Sequence, residues 1–140
     1  MNIVIQEMRS EDYDEVLALW QSSPGVGLSH ADSREGIRRF LERNPALSFV
    51  ARDNQELVGV VLGGHDGRRG YIHHLTVRQS HRRAGIGGAL VERCLSALRQ
   101  EGIGKCHLFV FKDNQAGIAF WKESDWTERI DLIMMSRYTE

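Results

Sequence analysis

The sequence predicts a single α/β domain built on a mixed, largely antiparallel sheet. Three observations carry this. Runs with the two-residue period of strands cluster in the middle of the chain, helical stripes flank them, and two later strands each feed directly into a helix. At 140 residues, with 41% hydrophobic and 26% charged positions, the chain has ordinary domain size and globular composition. A formal net charge of −1 gives no global attraction to nucleic acid or to an anionic membrane, so any basic site must be local.

Ile3 and Ile5 alternate with polar neighbours and predict a short first strand. Ser10 offers an N-cap, with Glu11, Asp12 and Asp14 in the first turn and an apolar face of Val16, Leu17, Leu19 and Trp20, so a first helix runs to about Ser22. Breakers crowd residues 23–30, which predict a loop positioned to cover a site. Asp32 or Ser33 caps a second helix carrying Ile37, Phe40 and Leu41, and Asn44-Pro45 ends it. Its arginines, Arg34, Arg38, Arg39 and Arg43, read as a solvated face, with a positive rim that attracts an acidic substrate as the alternative.

From Leu47 the period becomes that of strands. Residues 47–52, 57–64 and 71–77, separated by turns at 53–55 and 66–70, predict an antiparallel meander. In the last of these strands alternation places Tyr71 and His73 on one face, with Ile72 and His74 on the other. A third helix follows with Ile86, Leu90, Val91, Cys94, Leu95 and Leu98 in one stripe, ending at Gly102. A fifth strand over 107–111 leads to a fourth helix capped by Asp113, and the apolar run 130–135 predicts a final strand. The strand before the third helix and the strand after it must be parallel, since a helix crosses between them.

Between the meander and the third helix stands the run Gln79-Ser80-His81-Arg82-Arg83-Ala84-Gly85-Ile86-Gly87-Gly88. A helix start carries backbone N–H groups without intrahelical partners and roughly +0.5 of a charge, which favours an anion. Glycines let that backbone approach a ligand closely, and the two arginines add positive charge. The run lacks the third glycine of G-x-G-x-x-G and does not follow an opening βαβ unit, which disfavours a dinucleotide fold. The two cysteines, Cys94 in an apolar stripe and Cys106 beside a strand, read as reduced thiols, and no metal-ligand spacing exists, so no metal is expected. The N-terminus has no basic region followed by an apolar run, and no stretch approaches the ~18 apolar residues of a membrane span. The expected location is cytoplasmic.

The run Arg82-Arg83-Ala84-Gly85-Ile86-Gly87 resembles the acetyl-CoA motif of the GNAT superfamily of N-acetyltransferases, Arg or Gln, two residues, Gly, one residue, then Gly or Ala. A second stretch, Asn114-Gln115-Ala116-Gly117-Ile118-Ala119-Phe120-Trp121-Lys122-Glu123-Ser124-Asp125-Trp126, resembles the family's later motif, an Asn opening a helix that ends in an aromatic. The resemblance covers nearly the whole chain and implies one domain, residues 1–140, whose sheet is splayed between the fourth and fifth strands. It implies acetyl-CoA as co-substrate, with Leu75, Thr76 and Val77 along the pantetheine arm. The pyrophosphate is expected on Arg82, Arg83, Ala84, Gly85, Ile86, Gly87 and Gly88, with Asn114 and Trp121 also among the cofactor-binding positions.

By the same resemblance Tyr71 stands where one branch has a glutamate base, and Tyr71 with His73 match two histidines of an arylalkylamine-acetylating branch. His73 is the candidate base, since an imidazole near pKa ~6.5 can take a proton from an ammonium acceptor. Trp121 departs from the pattern: many members have a tyrosine there that protonates the departing thiolate, and an indole has no such proton to give. Phe109 stands where another branch has a glutamate. The expected activity is acetyl transfer to a primary amine of a small molecule or a peptide by direct attack in a ternary complex. The alternative is a non-catalytic CoA-binding or regulatory module. Neither nucleic acid nor membrane is an expected partner, and a homodimer stays open.

Overall fold

The computed structural model describes all residues, Met1–Glu140. They divide into two compact units, Met1–Phe109 and Val110–Glu140. No helix is long and apolar enough to cross a membrane.

The first unit is built on a five-stranded sheet of β1 (Ile3–Glu7), β2 (Phe49–Asp53), β3 (Glu56–His65), β4 (Gly70–Val77) and β5 (Cys106–Leu108), side by side in that order. The first four are mutually antiparallel, while β5 runs parallel to β4. The β2–β3 turn needs only Asn54 and Gln55, both left-handed at φ 49° and 76°, the twist that a two-residue hairpin demands.

Helices α1 (Tyr13–Gln21) and α2 (Arg34–Arg43) cover one face of the sheet, and α3 (Ile86–Gln100) covers the other. The α1/α2 side holds a core of Met8, Val16, Leu19, Trp20, Ile37, Val50, Val60 and Leu62. On the α3 side β-strand glycines admit the helix closely: a Cβ on Gly63 would stand 2.3 Å from Cys94 Sγ and from the Leu47 carbonyl oxygen. That distance is far inside van der Waals contact, so only glycine fits there.

The start of α1 differs from expectation. Ser10 lies in a 3-10 turn, Ser10–Asp12, and its hydroxyl bonds Glu11. Asp12 instead reaches back to accept the Arg9 N–H at 2.9 Å, and α1 begins at Tyr13. Arg52 of β2 then bonds both Asp12 and Glu15, which ties α1 to the sheet. Ser33 caps α2 by accepting the Gly36 N–H, and Asn44 ends it, as its sequence requires.

The second unit contains α4 (Gln115–Glu123). Its cap is Asn114, whose side chain accepts the Gly117 N–H at 3.0 Å, and not Asp113 one residue earlier. Both residue types cap well, but only the carbonyl of Asn114 stands three residues ahead of a free N–H in the helical register. Phe120, Trp121 and Trp126 pack edge to face, with ring centroids 5.0 and 5.2 Å apart. The strand expected over 130–135 does not form, and Ile130, Ile133 and Met135 are almost fully exposed. An apolar run becomes a strand only when its N–H and C=O groups find a ladder partner, and this one has none.

Candidate active site

The turn of residues 82–88 joins the end of β4 to α3, and its backbone is bent for a purpose. Arg83 and Gly85 are left-handed at φ 63° and 82°, and Gly85 occupies the N-cap position with no side chain capping the helix. Consequently the N–H groups of residues 83–88 find no acceptor in the protein at hydrogen-bonding geometry; the first α3 bond runs from Ala89 to the Gly85 carbonyl. Left-handed residues within a turn aim successive N–H groups into one concavity, which is an anion site. A Cβ built on Gly85 or Gly88 would meet nothing within 4 Å, so no protein atom crowds the turn at those two positions.

Side chains hold this turn from behind. His81 lies in the 3-10 turn Gln79–His81 and bonds Asp53 Oδ2 through Nε2 at 2.9 Å and the Ser80 hydroxyl through Nδ1 at 2.8 Å. Asp53 also accepts the Asn2 N–H, and these two contacts hold its carboxyl below the usual aspartate value, the Asn2 bond foremost. Arg82 folds back so that Nε donates to the Val77 carbonyl at 3.0 Å. Arg83 is exposed.

The fifth strand is shorter than its sequence suggests. Pairing with β4 stops after Gly70↔Cys106, Tyr71↔His107 and Ile72↔Leu108, so residues 73–77 of β4 have no strand partner on that side. Phe109 and Phe111, counted as strand residues in the sequence, are more than half exposed instead. The predicted splay between the fourth and fifth strands is therefore present, and Leu75, Thr76 and Val77 lie along it. Thr76 is buried, with its hydroxyl on the His74 carbonyl, and the Val77 carbonyl is occupied by Arg82.

The sequence missed one feature of β4. Gly59 pairs with Val77 and Val60 with Thr76, but Leu62 pairs with His73, so His74 and Leu75 both stand against Val61. This is a β-bulge, and His74 takes φ 51° to make it. Strict alternation is broken there. His74 does not share a face with Ile72; it turns to the α1/α2 side, where its ring meets Trp20 edge-on at 5.2 Å and its Nε2 bonds Asp32 Oδ1 at 3.0 Å. The signal was in the chain: alternation puts a histidine among the α3-facing core positions, a conflict that a bulge resolves.

Tyr71 and His73 do share a face, as predicted. Their rings stack at 6.4 Å, Phe40 of α2 meets His73 edge-on at 5.9 Å, and Phe109 stacks on Tyr71 at 6.3 Å. His73 touches no carboxylate. Burial pushes its pKa below the usual histidine value, His74 pushes it the same way, and Asp32 opposes them weakly. Asn114 and Trp121 belong to the second unit, Asn114 as the α4 cap and Trp121 in its aromatic cluster. No three His, Cys, Asp or Glu side chains are grouped to hold a metal ion.

A sheet whose parallel fifth strand parts from the fourth, with a helix that starts in a glycine turn, is the architecture this chain shares with acetyltransferases. The match to the acetyltransferase (GNAT) family extends over residues 13–126, and the chain belongs to that family. An acetyltransferase of Pectobacterium atrosepticum is 35% identical over 133 residues, which are 95% of this chain and 93% of that protein. Among solved structures, the PaiA N-acetyltransferase of Thermoplasma acidophilum, in complex with coenzyme A, superposes with a TM-score of 0.77 at 18% identity, covering 88% of each chain. The aminoglycoside 6'-N-acetyltransferase of Acinetobacter baumannii gives 0.79 at 15% identity over 99% of this chain and 100% of its own. Identities this low speak for the fold alone. The chain is an acyltransferase.

Proposed function

We propose that the chain acts as one domain that transfers the acetyl group of acetyl-CoA to a primary amine of a small molecule or a peptide, by direct attack in a ternary complex. The observation that carries this reading is the row of unpartnered N–H groups over residues 83–88, with Arg82 folded back onto the Val77 carbonyl and Arg83 exposed beside them. A pyrophosphate suits it: each charge-assisted hydrogen bond shielded from water contributes about 1.5–3 kcal/mol. The free edge of β4 at Leu75 and its neighbours offers backbone groups to the amide-rich arm that follows the pyrophosphate. When bound, acetyl-CoA supplies a thioester whose carbonyl carbon accepts the amine.

The chain's own groups then position and deprotonate. Tyr71 and His73 form the acceptor wall on the α2 side of β4, and an imidazole of β4 takes the ammonium proton. Neither cysteine serves as a nucleophile. Burial pushes Cys94 up to about 12 and Cys106 up to about 11, which leaves almost no thiolate at neutral pH. Trp121 has no proton to give the leaving thiolate, so solvent protonates it.

Calorimetry with acetyl-CoA, followed by thiol release against a panel of primary amines, tests the reading. The expected result is saturable binding and turnover on at least one amine. Failure to bind acetyl-CoA refutes the cradle, and binding without turnover on any amine refutes the transfer.

A further inference from the structure

We propose that the proton acceptor for the incoming amine is His74, held in place by Asp32. This deepens the acetyl-transfer reading and rests on it. It also moves the role from His73, the residue that strand alternation singles out, to its neighbour.

The geometry of the pair carries the argument. An ionised carboxylate only accepts hydrogen bonds, so the 3.0 Å contact between Asp32 Oδ1 and His74 Nε2 places the ring proton on Nε2 and leaves a lone pair on Nδ1. Asp32 is itself fixed, its other oxygen accepting the Ser29 N–H at 3.1 Å, and the backbone carbonyl of the same residue accepts the Tyr13 hydroxyl at 2.8 Å. His74 Nδ1 has no partner in the protein. Trp20 Nε1 is the one buried side-chain nitrogen or oxygen in that state, so Nδ1 meets solvent. The result is an oriented imidazole with one nitrogen on a carboxylate and the other free, the arrangement that stabilises an imidazolium as it forms.

Position favours the same residue. His74 is one peptide step, about 3.8 Å between Cα atoms, from Leu75, where the unpaired edge of β4 continues toward the phosphate turn. It sits in the left-handed region at φ 51°, a conformation that is unfavourable for a non-glycine residue and that persists where surrounding structure imposes it. Without the bulge the ring would enter the α3-side core. His73, in contrast, lies between the Phe40 and Tyr71 rings with no carboxylate near enough to bond, so an imidazolium formed there gains no such partner.

The step balances as follows. His74 Nδ1 takes one proton from the ammonium, and the freed nitrogen lone pair attacks the thioester carbonyl carbon. The C–N bond forms, the C–S bond breaks, and the nitrogen loses its second proton to solvent while the thiolate takes one from solvent. His74 then returns its proton to bulk water, so the sum is one amide, one CoA thiol and one released proton. The charged or titratable groups facing His74 are Asp32, from the 3-10 turn His30–Asp32 ahead of α2, and His73 on its own strand. From α1 it meets the uncharged Trp20, and Arg34, lying over the Tyr13 ring, is paired with Asp14.

The test measures pH profiles of kcat/KM for a turned-over amine in wild type, His74→Gln, Asp32→Asn and His73→Gln. Expected is a loss of about 10²–10⁴-fold in kcat for His74→Gln, with KM for acetyl-CoA unchanged and the acidic limb gone. Asp32→Asn lowers kcat with KM for acetyl-CoA unchanged and frees the ring to take the other tautomer, because the carboxylate that held Nε2–H is gone; a purely structural role lowers Tm and leaves kcat and the tautomer in place. In wild type, nitrogen NMR shifts should report the Nε2–H tautomer of neutral His74, a readout that needs no variant to fold. A limb that vanishes only in His73→Gln, or the opposite tautomer, overturns the assignment while the transfer reading stands. Binding of acetyl-CoA with no turnover on any amine overturns both.

Discussion

Gly85 and Gly102 form a matched pair for testing what the phosphate turn does. Both have φ 82°, and a Cβ on either would meet nothing within 4 Å, so alanine at either site brings left-handed strain and no clash. That strain is about 1–2 kcal/mol, which for a chain of this length lowers Tm by roughly 3–8 °C. Gly102 ends α3, far along the helix from the turn, while Gly85 sets the aim of the N–H groups around it. Gly85→Ala relieves its strain by rotating toward negative φ, which turns one or more of those groups away from the ligand. Each lost bond to a charged phosphate costs about 1.5–3 kcal/mol, so Kd for acetyl-CoA should rise at least about tenfold. Gly102→Ala should cost the same stability and leave Kd unchanged. Calorimetric titration with thermal melts of both variants decides the matter. Equal Kd values in the two variants would refute the anion cradle, whatever their stabilities.

Three further outcomes follow from the structure. His81→Ala releases the phosphate turn from Asp53, so steady-state kinetics should show KM for acetyl-CoA raised about fivefold, the equivalent of ~1 kcal/mol, with kcat little changed; a change in kcat alone would contradict it. Because burial lowers the pKa of His73 in the folded state, the unfolded chain takes up this proton first as pH falls below ~6.5. The folded protein therefore loses stability from there downward until His73 itself is protonated, and His73→Gln should flatten that part of the Tm against pH curve. Cys94 and Cys106 should resist thiol reagents at pH 8 in the native protein and react rapidly once unfolded, when their pKa returns toward ~8.5. Fast native labelling of either would show that burial does not protect it.

The meander, the crossover helix and the glycine turn at its start were legible because each rests on a local rule. Asn54-Gln55 makes a tight hairpin, Ser33 stands where α2 needs its cap, and Gly85 sits where the chain must turn left-handed. Each depends on residues a few positions apart. The errors fell where partners are distant. The 130–135 run has strand composition but no ladder partner, and β5 pairs with β4 only through Leu108 although its strand-like sequence continues to Phe111.

For the catalytic side, the sequence by itself determined the residue types: imidazoles on the fourth strand, glycines and arginines at the helix start, no nucleophile beside a base. Their directions were decided only by the tertiary structure. A side chain's face in a strand follows from alternation as long as every residue pairs in register, and one bulge at His74 reverses that rule for the residue nearest the splay. Asp32 lies 42 positions from His74 and became its partner only when the turn ahead of α2 came to lie against the fourth strand. Contacts of that separation have no local signature, so the chain announces an acetyltransferase with a glycine turn at a helix start while the fold alone selects which histidine meets a carboxylate.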